Sequence, residues 1–115
     1  MPYVKLETAK ELTEAQTALV YEILAKHISL IPGKNIDNAM MQVASGRQMF
    51  MHGAPGEYTF LEVRLSGPAP LADKDAYVAA VSRDLEEQVG IDPAKTYVNI
   101  LELDGWGARG HYFSR

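Results

Sequence analysis

The sequence predicts an α+β fold in which a β-α-β unit occurs twice. Short segments with alternating apolar and polar residues flank two longer segments in which apolar residues recur every three or four positions. The two halves, residues 1–52 and 53–115, follow the same order, and clusters of glycine and proline separate their elements. The chain of 115 residues has the length of one domain. We therefore expect a single domain, residues 1–115, built from two similar halves.

The first half begins with a strand over residues 2–7, where the alternation is regular. A helix follows over about residues 12–30, and Thr13 with Gln16 predicts a capping box near its start. The motif "IPGK" ends this helix, because proline and glycine both break helices. One apolar face is expected along the helix, formed by Leu12, Ala15, Leu19, Ile23, Leu24 and Ile28.

The remaining elements repeat this plan. A second strand is predicted over residues 39–44, and residues 48–51 could pair locally across the turn "HGAPGE". A third strand covers residues 58–65, a second helix runs from about 73 to 89, and a fourth strand covers residues 96–103. The tail "DGWGARGHYFSR" is rich in glycine and is interpreted as a loop followed by a short terminal strand.

The order of elements fixes the expected sheet. Each β-α-β crossover is right-handed by rule, so the two strands of each unit are parallel. The expected fold class is a two-layer α+β fold, with a four-stranded mixed sheet and both helices on one face. The first and fourth strands carry apolar residues that suggest burial on both faces, and other subunits would then cover the open face. These residues are Val4, Leu6, Tyr97, Val98, Ile100 and Leu101.

Composition excludes several classes of function. The net charge of −4 argues against a nucleic-acid partner, which would favour a basic patch. No apolar stretch approaches the roughly 18 residues that indicate a membrane span. There is no cysteine, which excludes thiol chemistry, and the start of the sequence lacks the pattern of a signal peptide. We expect a cytoplasmic protein without a membrane partner.

Pro2 raises a chemical possibility because it heads the first strand. If Met1 is removed, Pro2 carries a free secondary amine. An α-amine titrates near about 7.7–8.0, and apolar surroundings lower that value, so the neutral form could act as a base. A retained Met1 would make this nitrogen a tertiary amide without basicity. The alternative is that Pro2 simply begins the chain.

Four motifs together resemble the tautomerase superfamily, in the branch of macrophage migration inhibitory factor and the bacterial phenylpyruvate-tautomerase-like proteins. They are Pro2 at the start of a strand, "GK" after the first helix, "YVN" opening the fourth strand, and "WGARGHYF" near the end. The resemblance covers nearly the whole chain. It implies a homotrimer with active sites at subunit interfaces. It also implies keto–enol tautomerisation of a small α-keto acid such as phenylpyruvate, without a cofactor.

The resemblance assigns roles to individual residues. Pro2 would be the general acid and base, and Lys34 would bind the substrate carboxylate as a point charge. Ser66 would present its backbone amide to the same carboxylate. Tyr97 and Asn99, two apart on one strand face, would reach the site from a neighbouring subunit. Three of these residues also have an ordinary interpretation. Lys34 could be a solvated lysine, Tyr97 a tyrosine packed against the core, and Asn99 an asparagine that bonds the backbone.

Aromatic and apolar side chains are expected to form the walls of the pocket. Trp106 and Phe113 would contribute from the tail, and Tyr3 and Val4 from the first strand. Ala108 stands where many relatives carry a second tryptophan, so one wall could be open. The placement of three arginines is left undecided; they are Arg47, Arg64 and Arg109.

Arg109 could meet a second carboxylate or be a surface charge, and the surface interpretation is favoured. The spacing of the three histidines matches no metal motif, so no metal is expected. Two other functions remain open. One is another proline-dependent reaction on a short unsaturated acid, namely decarboxylation, hydration or dehalogenation. The other is a non-catalytic trimeric binding or signalling protein.

Overall fold

The structure is a computed structural model that describes residues 1–114. Three short 3₁₀ segments lie between the main elements, at Ile28–Leu30, Ile36–Asn38 and Pro93–Lys95. The strands and helices in chain order are β1 (Pro2–Thr8), α1 (Glu14–Lys26), β2 (Met40–Ala44), β3 (Phe50–Met51), β4 (Ala54–Pro55), β5 (Thr59–Ser66), α2 (Leu71–Val89), β6 (Thr96–Leu103), β7 (Gly105–Ala108) and β8 (His111–Ser114).

Four strands form the main sheet, in the order β2-β1-β5-β6. β1 runs parallel to β2, and β5 runs parallel to β6. β1 and β5 are antiparallel, with Pro2 opposite Leu65 and Thr8 opposite Thr59. The predicted doubled β-α-β unit and mixed four-stranded sheet are therefore confirmed.

The core lies between one face of this sheet and the two helices. Alternate residues of β1 and β5 point into it, as the period of a strand requires. Each such side chain contributes about 1.5–3 kcal/mol when fully buried. The buried apolar residues of these strands and helices include Val4, Leu6, Leu61, Val63, Leu65, Val20, Ile23, Leu24, Tyr77, Val81 and Leu85.

Polar bonds join the two helices inside this layer. The Tyr77 hydroxyl donates to the Leu24 carbonyl at 2.9 Å, and burial raises the pKa of Tyr77. Nε2 of His27 lies 2.7 Å from Oδ2 of Asp84, and both side chains are largely buried. The helices are thus fixed to one another by specific bonds as well as by apolar packing.

The helix boundaries differ from the predictions by a few residues. The capping box of Thr13 and Gln16 is confirmed, but α1 begins at Glu14 and ends at Lys26. The expected last turn of α1 is instead the 3₁₀ segment Ile28–Leu30, because the backbone there closes i→i+3 bonds. α2 begins two residues earlier than predicted, after Pro70 as its N-cap.

The face of the sheet opposite the helices is open within this chain. β6 has apolar residues on both faces, with Tyr97 and Leu101 on the open one, where they are 62% and 39% exposed. The prediction that apolar residues are buried on both faces was wrong for β1, since Val4 and Leu6 both lie on the core face. The open face of β1 carries Tyr3, Lys5 and Glu7.

The tail forms more structure than predicted. It folds into a two-stranded ribbon of β7 and β8, where a loop and one strand were expected. Glycine is depleted in strands, so "GWGA" has no strand signal in the sequence. The predicted local pairing near residues 48–51 is confirmed as β3 with β4. No helix within residues 1–114 combines the length and the apolar composition that crossing a bilayer requires.

Candidate active site

A cleft of about 510 Å³ opens between the start of β1 and the β7–β8 ribbon. Residues from the starts of β1 and β2, the end of β5 and the tail come together there, because the sheet brings these segments to one end. The residues that line the cleft are Met1, Pro2, Tyr3, Asn38, Met40, Arg64, Leu103, Gly105, Trp106, Gly107, Ala108, Arg109 and Tyr112.

Pro2 lies in the wall of this cleft and is buried at the first position of β1. Met1 precedes it and also lines the cleft. Burial lowers the pKa of the Met1 α-amine from its ordinary 8.0 to about 6, and the positive charge and hydrogen bond of Lys34 act in the same direction. An amine at this end of β1 is therefore in surroundings that favour its neutral form.

Lys34 and Ser66 lie beside Met1. Nζ of Lys34 donates to the carbonyl oxygen of Ser66 at 3.1 Å. The backbone N–H of Ser66 donates to the carbonyl oxygen of Met1 at 3.3 Å. Three residues singled out from the sequence, Pro2, Lys34 and Ser66, are thus brought together around the first peptide of the chain.

The aromatic walls are only partly those expected. Tyr3 and Trp106 line the cleft. Phe113 is paired with Trp106 in the ribbon but does not line the cleft, and Val4 is fully buried in the core. The prediction of Val4 as a pocket wall was wrong, because its parity on β1 directs it to the helices.

Tyr112 is a cleft residue that the sequence reasoning missed. Its ring lies over Gly105 so closely that a side chain at Gly105 would collide with the hydroxyl. Gly107, opposite Tyr112 in the ribbon, also lines the cleft. Gly105 is therefore explained by the approach of an aromatic ring, and the pattern G-x-G beside an aromatic strand was the available signal.

Tyr97 and Asn99 lie away from Pro2 within one chain. Tyr97 pairs with Phe60, whereas Pro2 pairs with Leu65, so the two lie five positions apart along the sheet. At roughly 3.3 Å per residue this separation is about 17 Å along the strands. The structure therefore does not assemble these two residues with Pro2 inside a single subunit.

The arginines left undecided by the sequence have different surroundings. The guanidinium of Arg64 lies 5.8 Å from the centroid of the Tyr3 ring, and its Nε donates to Glu62 at 2.6 Å. Arg109 is exposed at the turn of the ribbon, which agrees with the favoured surface interpretation, and it also lines the cleft. Arg47 lies 3.9 Å from Glu7, near the other end of β1.

The histidines do not come together. His27 bonds to Asp84, His52 lies in the turn between β3 and β4, and His111 begins β8. Within residues 1–114, no three His, Asp or Glu side chains are grouped so that they could hold a metal ion.

Comparison with known proteins gives matches among solved structures. The MIF2 protein of Leishmania major is 16% identical, with 98% of this chain and 97% of that chain covered and a TM-score of 0.87. A fused 4-OT, solved as an asymmetric trimer, is 14% identical over 95% and 94% of the chains, with a TM-score of 0.84. Pt0534, solved after inactivation by 2-oxo-3-pentynoate, is 16% identical over 94% and 93%, with a TM-score of 0.83.

No family model matches the sequence, and no curated protein matches it. The matched solved structures show that the chain has the fold of the tautomerase superfamily, in the form seen in macrophage migration inhibitory factor homologues. The resemblance drawn from the sequence motifs is confirmed at the level of the fold.

Proposed function

We propose that this chain is a cofactor-independent tautomerase in which the Pro2 amine, freed by removal of Met1, is the general base and acid. The substrate class is a small 2-oxo acid, such as phenylpyruvate, or its enol. The observation that carries the proposal is the set of groups around the first peptide: a strand-leading proline in a cleft, a lysine and a backbone N–H. The shared fold with tautomerase-superfamily proteins adds support.

The Met1 carbonyl indicates where a substrate oxygen would lie. It accepts the Ser66 N–H, and Lys34 stands beside the Met1 amine. When Met1 leaves, this N–H and this cation face the vacated space. A carboxylate would suit both, because an anion strengthens each hydrogen bond.

The chemistry needs one group that both takes and gives a proton. The neutral Pro2 nitrogen takes a proton from C3 of the 2-oxo acid, and the electron pair of that C–H bond forms the C2=C3 double bond as negative charge passes to the 2-oxo oxygen. The same nitrogen, now protonated, gives that proton to the 2-oxo oxygen and so completes the enol. In the reverse direction it takes the O–H proton of the enol and returns it to C3. Lys34 and Ser66 hold the neighbouring carboxylate and so fix the substrate in place.

The pKa of the amine that precedes Pro2 supports this role. The Met1 α-amine is held at about 6 by burial and by Lys34. The Pro2 nitrogen belongs to the next residue, and we expect burial and Lys34 to act on it in the same direction once Met1 is removed. A neutral base near pH 7 is the form that proton abstraction requires.

We further propose that the chain assembles as a homotrimer and that Tyr97 and Asn99 reach the cleft of a neighbouring subunit. The open sheet face has exposed apolar side chains, with Met40 70% and Tyr97 62% exposed. A fused 4-OT with the same fold was solved as a trimer. The single-chain distance from Tyr97 to Pro2 is consistent with a contribution in trans.

Two further points belong to the proposal. The partner is a small carboxylate, as for Pt0534, which is inactivated by the 2-oxo acid 2-oxo-3-pentynoate. We expect neither a nucleic acid nor a membrane as partner, and we expect the protein in the cytoplasm. Fractionation of cells that express it at its natural level tests this location.

The direct test combines intact mass with disappearance of the phenylpyruvate enol. Protein whose mass shows loss of Met1 should catalyse the reaction, and Pro2→Ala should lower the rate by about 10²-fold or more. Pro55→Ala, at an exposed proline of β4, is the matched control and should keep the rate.

Three outcomes would contradict the proposal. Activity that survives Pro2→Ala in processed protein would exclude the proline mechanism. Processed protein without turnover on a panel of 2-oxo acids would favour a binding or signalling protein. Turnover of a short unsaturated acid alone would favour decarboxylation, hydration or dehalogenation.

A further inference from the structure

We propose that folding closes the Met1–Pro2 peptide bond to the aminopeptidase that removes an N-terminal methionine, so that Met1 must leave before β1 is built into the sheet. This inference rests on the proposed function, because it concerns how the Pro2 amine is released. A chain that folds with Met1 in place stays without that amine, and the active fraction is therefore fixed while the protein is being made.

The cleavage reaction defines which atoms of Met1 must be accessible. One water molecule is consumed: its oxygen bonds to the Met1 carbonyl carbon, the C–N bond to Pro2 breaks, and a hydrogen of the water goes to the proline nitrogen. Aminopeptidases of this kind use metal ions, which polarise the oxygen of the carbonyl under attack. The carbonyl oxygen and the α-amine of Met1 must therefore both be free to enter the enzyme.

In the folded chain both of these groups already have partners. The Met1 carbonyl oxygen accepts the Ser66 N–H at 3.3 Å, one residue beyond the pair of Pro2 and Leu65 in the β1–β5 ladder. The α-amine is hydrogen-bonded to the side chain of Lys34. Nζ of Lys34 also donates to the Ser66 carbonyl at 3.1 Å. The first peptide of the chain is thus fixed both by β5 and by Lys34.

The residues that follow Met1 are fixed as well. Pro2 is buried, and Tyr3 pairs with Met40 on β2 and with Arg64 on β5, so β1 is held along both edges. Met1 itself lines the cleft beside the β7–β8 ribbon. Chain ends are usually poorly ordered and open to proteolysis, and an N-terminal strand within a sheet is the exception. Cleavage therefore requires that Met1 first leaves the sheet and the cleft.

The order of the strands along the chain provides an interval for processing. Ser66 follows Met1 by about 65 residues, which take roughly 3–13 s to synthesise at about 5–20 residues per second. Until β5 is complete, the Met1 carbonyl lacks the strand that holds it in the folded protein. Removal of Met1 belongs to this interval.

The test compares the folded full chain that retains Met1 with a peptide of residues 1–8, which has the same cleavage site without the sheet. The full chain is expressed while the aminopeptidase of the host is inhibited. Both substrates are incubated with purified methionine aminopeptidase, and intact mass gives the fraction that has lost Met1. The folded chain should react at least about tenfold more slowly, because only locally opened molecules are cleaved.

A variant tests the part played by Lys34. Lys34→Ala removes the bonds to the α-amine and to the Ser66 carbonyl, and it should raise the rate of Met1 loss from the folded chain several-fold. Lys95→Ala, at an exposed lysine of the 3₁₀ segment Pro93–Lys95, is the matched control and should keep the rate. The Tm of both variants, measured by circular dichroism, separates local opening from a loss of overall stability.

The outcomes separate this proposal from the proposed function. Equal rates of Met1 loss from the folded chain and the peptide overturn the proposal and leave the tautomerase in place. A protected chain in which Lys34→Ala reacts no faster than Lys95→Ala supports closure by β5 and overturns the part assigned to Lys34. Because the readout is mass, processed protein without turnover on 2-oxo acids contradicts the proposed function alone.

Discussion

The amine at the start of β1 lies among groups that oppose its protonation. Burial is the larger influence on the Met1 α-amine, and Lys34 adds a positive charge nearby. Both disfavour a second cation and lower the pKa. The residue that is proposed to anchor the substrate therefore also lowers the pKa of the amine beside it.

This arrangement predicts the effect of removing the cation. In protein that retains Met1, the α-amine should titrate at about 6, and Lys34→Gln should raise this pKa, because the protonated amine then lacks a like charge beside it. The pH dependence of amine acylation, read by mass spectrometry, measures both values. Lys95→Gln, far from the cleft, is the control and should leave the pKa of the Met1 α-amine unchanged. An unchanged pKa in Lys34→Gln would contradict the account.

The helix pair is joined by the bond between His27 and Asp84, 2.7 Å long and largely buried. The hydrogen bond from His27 holds the pKa of Asp84 below its ordinary value of 3.8, with smaller contributions from the charges of His27, Lys26 and Arg83. A depressed carboxyl pKa means that the ionised form stabilises the folded state. This stabilisation is present above pH 3.8 and is lost as the pH falls through the folded pKa.

Asp84→Asn should therefore lower the Tm at pH 7, because it removes the anion from a buried bond between α1 and α2. The difference from the unmodified protein should shrink as the pH falls below 3.8. Thermal unfolding followed by circular dichroism across this range measures it. Glu87→Gln, an exposed acid on α2, should change stability by no more than about 0.5 kcal/mol. Equal effects of the two substitutions on the Tm would be evidence against a stabilising bond between His27 and Asp84.

Elements whose signals are local could be predicted from the sequence. The capping box needs only Thr13 and Gln16, and β6 matches the predicted residues because β-branched and aromatic residues are frequent in this segment. The β7–β8 ribbon was missed because its glycines have no strand preference. The place of Arg64 over Tyr3 depends on the register of β1 with β5, which no local pattern contains.

The open face of the sheet is the surface through which the whole molecule is proposed to assemble. Its exposed apolar side chains, with Tyr97 and Leu101 on β6, are the surface that the proposed trimer would bury. A site that draws Tyr97 from another subunit would be incomplete in a monomer. The apolar pattern of the strands predicted that other subunits cover a face of the sheet, whereas a contribution of Tyr97 from a neighbouring subunit was implied only by the family resemblance.

Leu101→Glu should therefore dissociate the assembly, because it places a charge in an apolar interface. Light scattering after size-exclusion chromatography gives the mass of the particle in solution. Leu30→Glu is a matched control on the helix side, since Leu30 is 42% exposed and Leu101 is 39% exposed. A monomeric unmodified protein, or a trimer that survives Leu101→Glu, would contradict the assembly proposed here.

The most direct measurement compares two forms of the same chain, with and without Met1, each verified by intact mass. Both are assayed for exchange of the C3 protons of a 2-oxo acid in D₂O. Exchange should be confined to the form that begins at Pro2, because only there is the proline nitrogen a free amine and the Ser66 N–H released from Met1. Equal rates for the two forms would show that Pro2 is not the base.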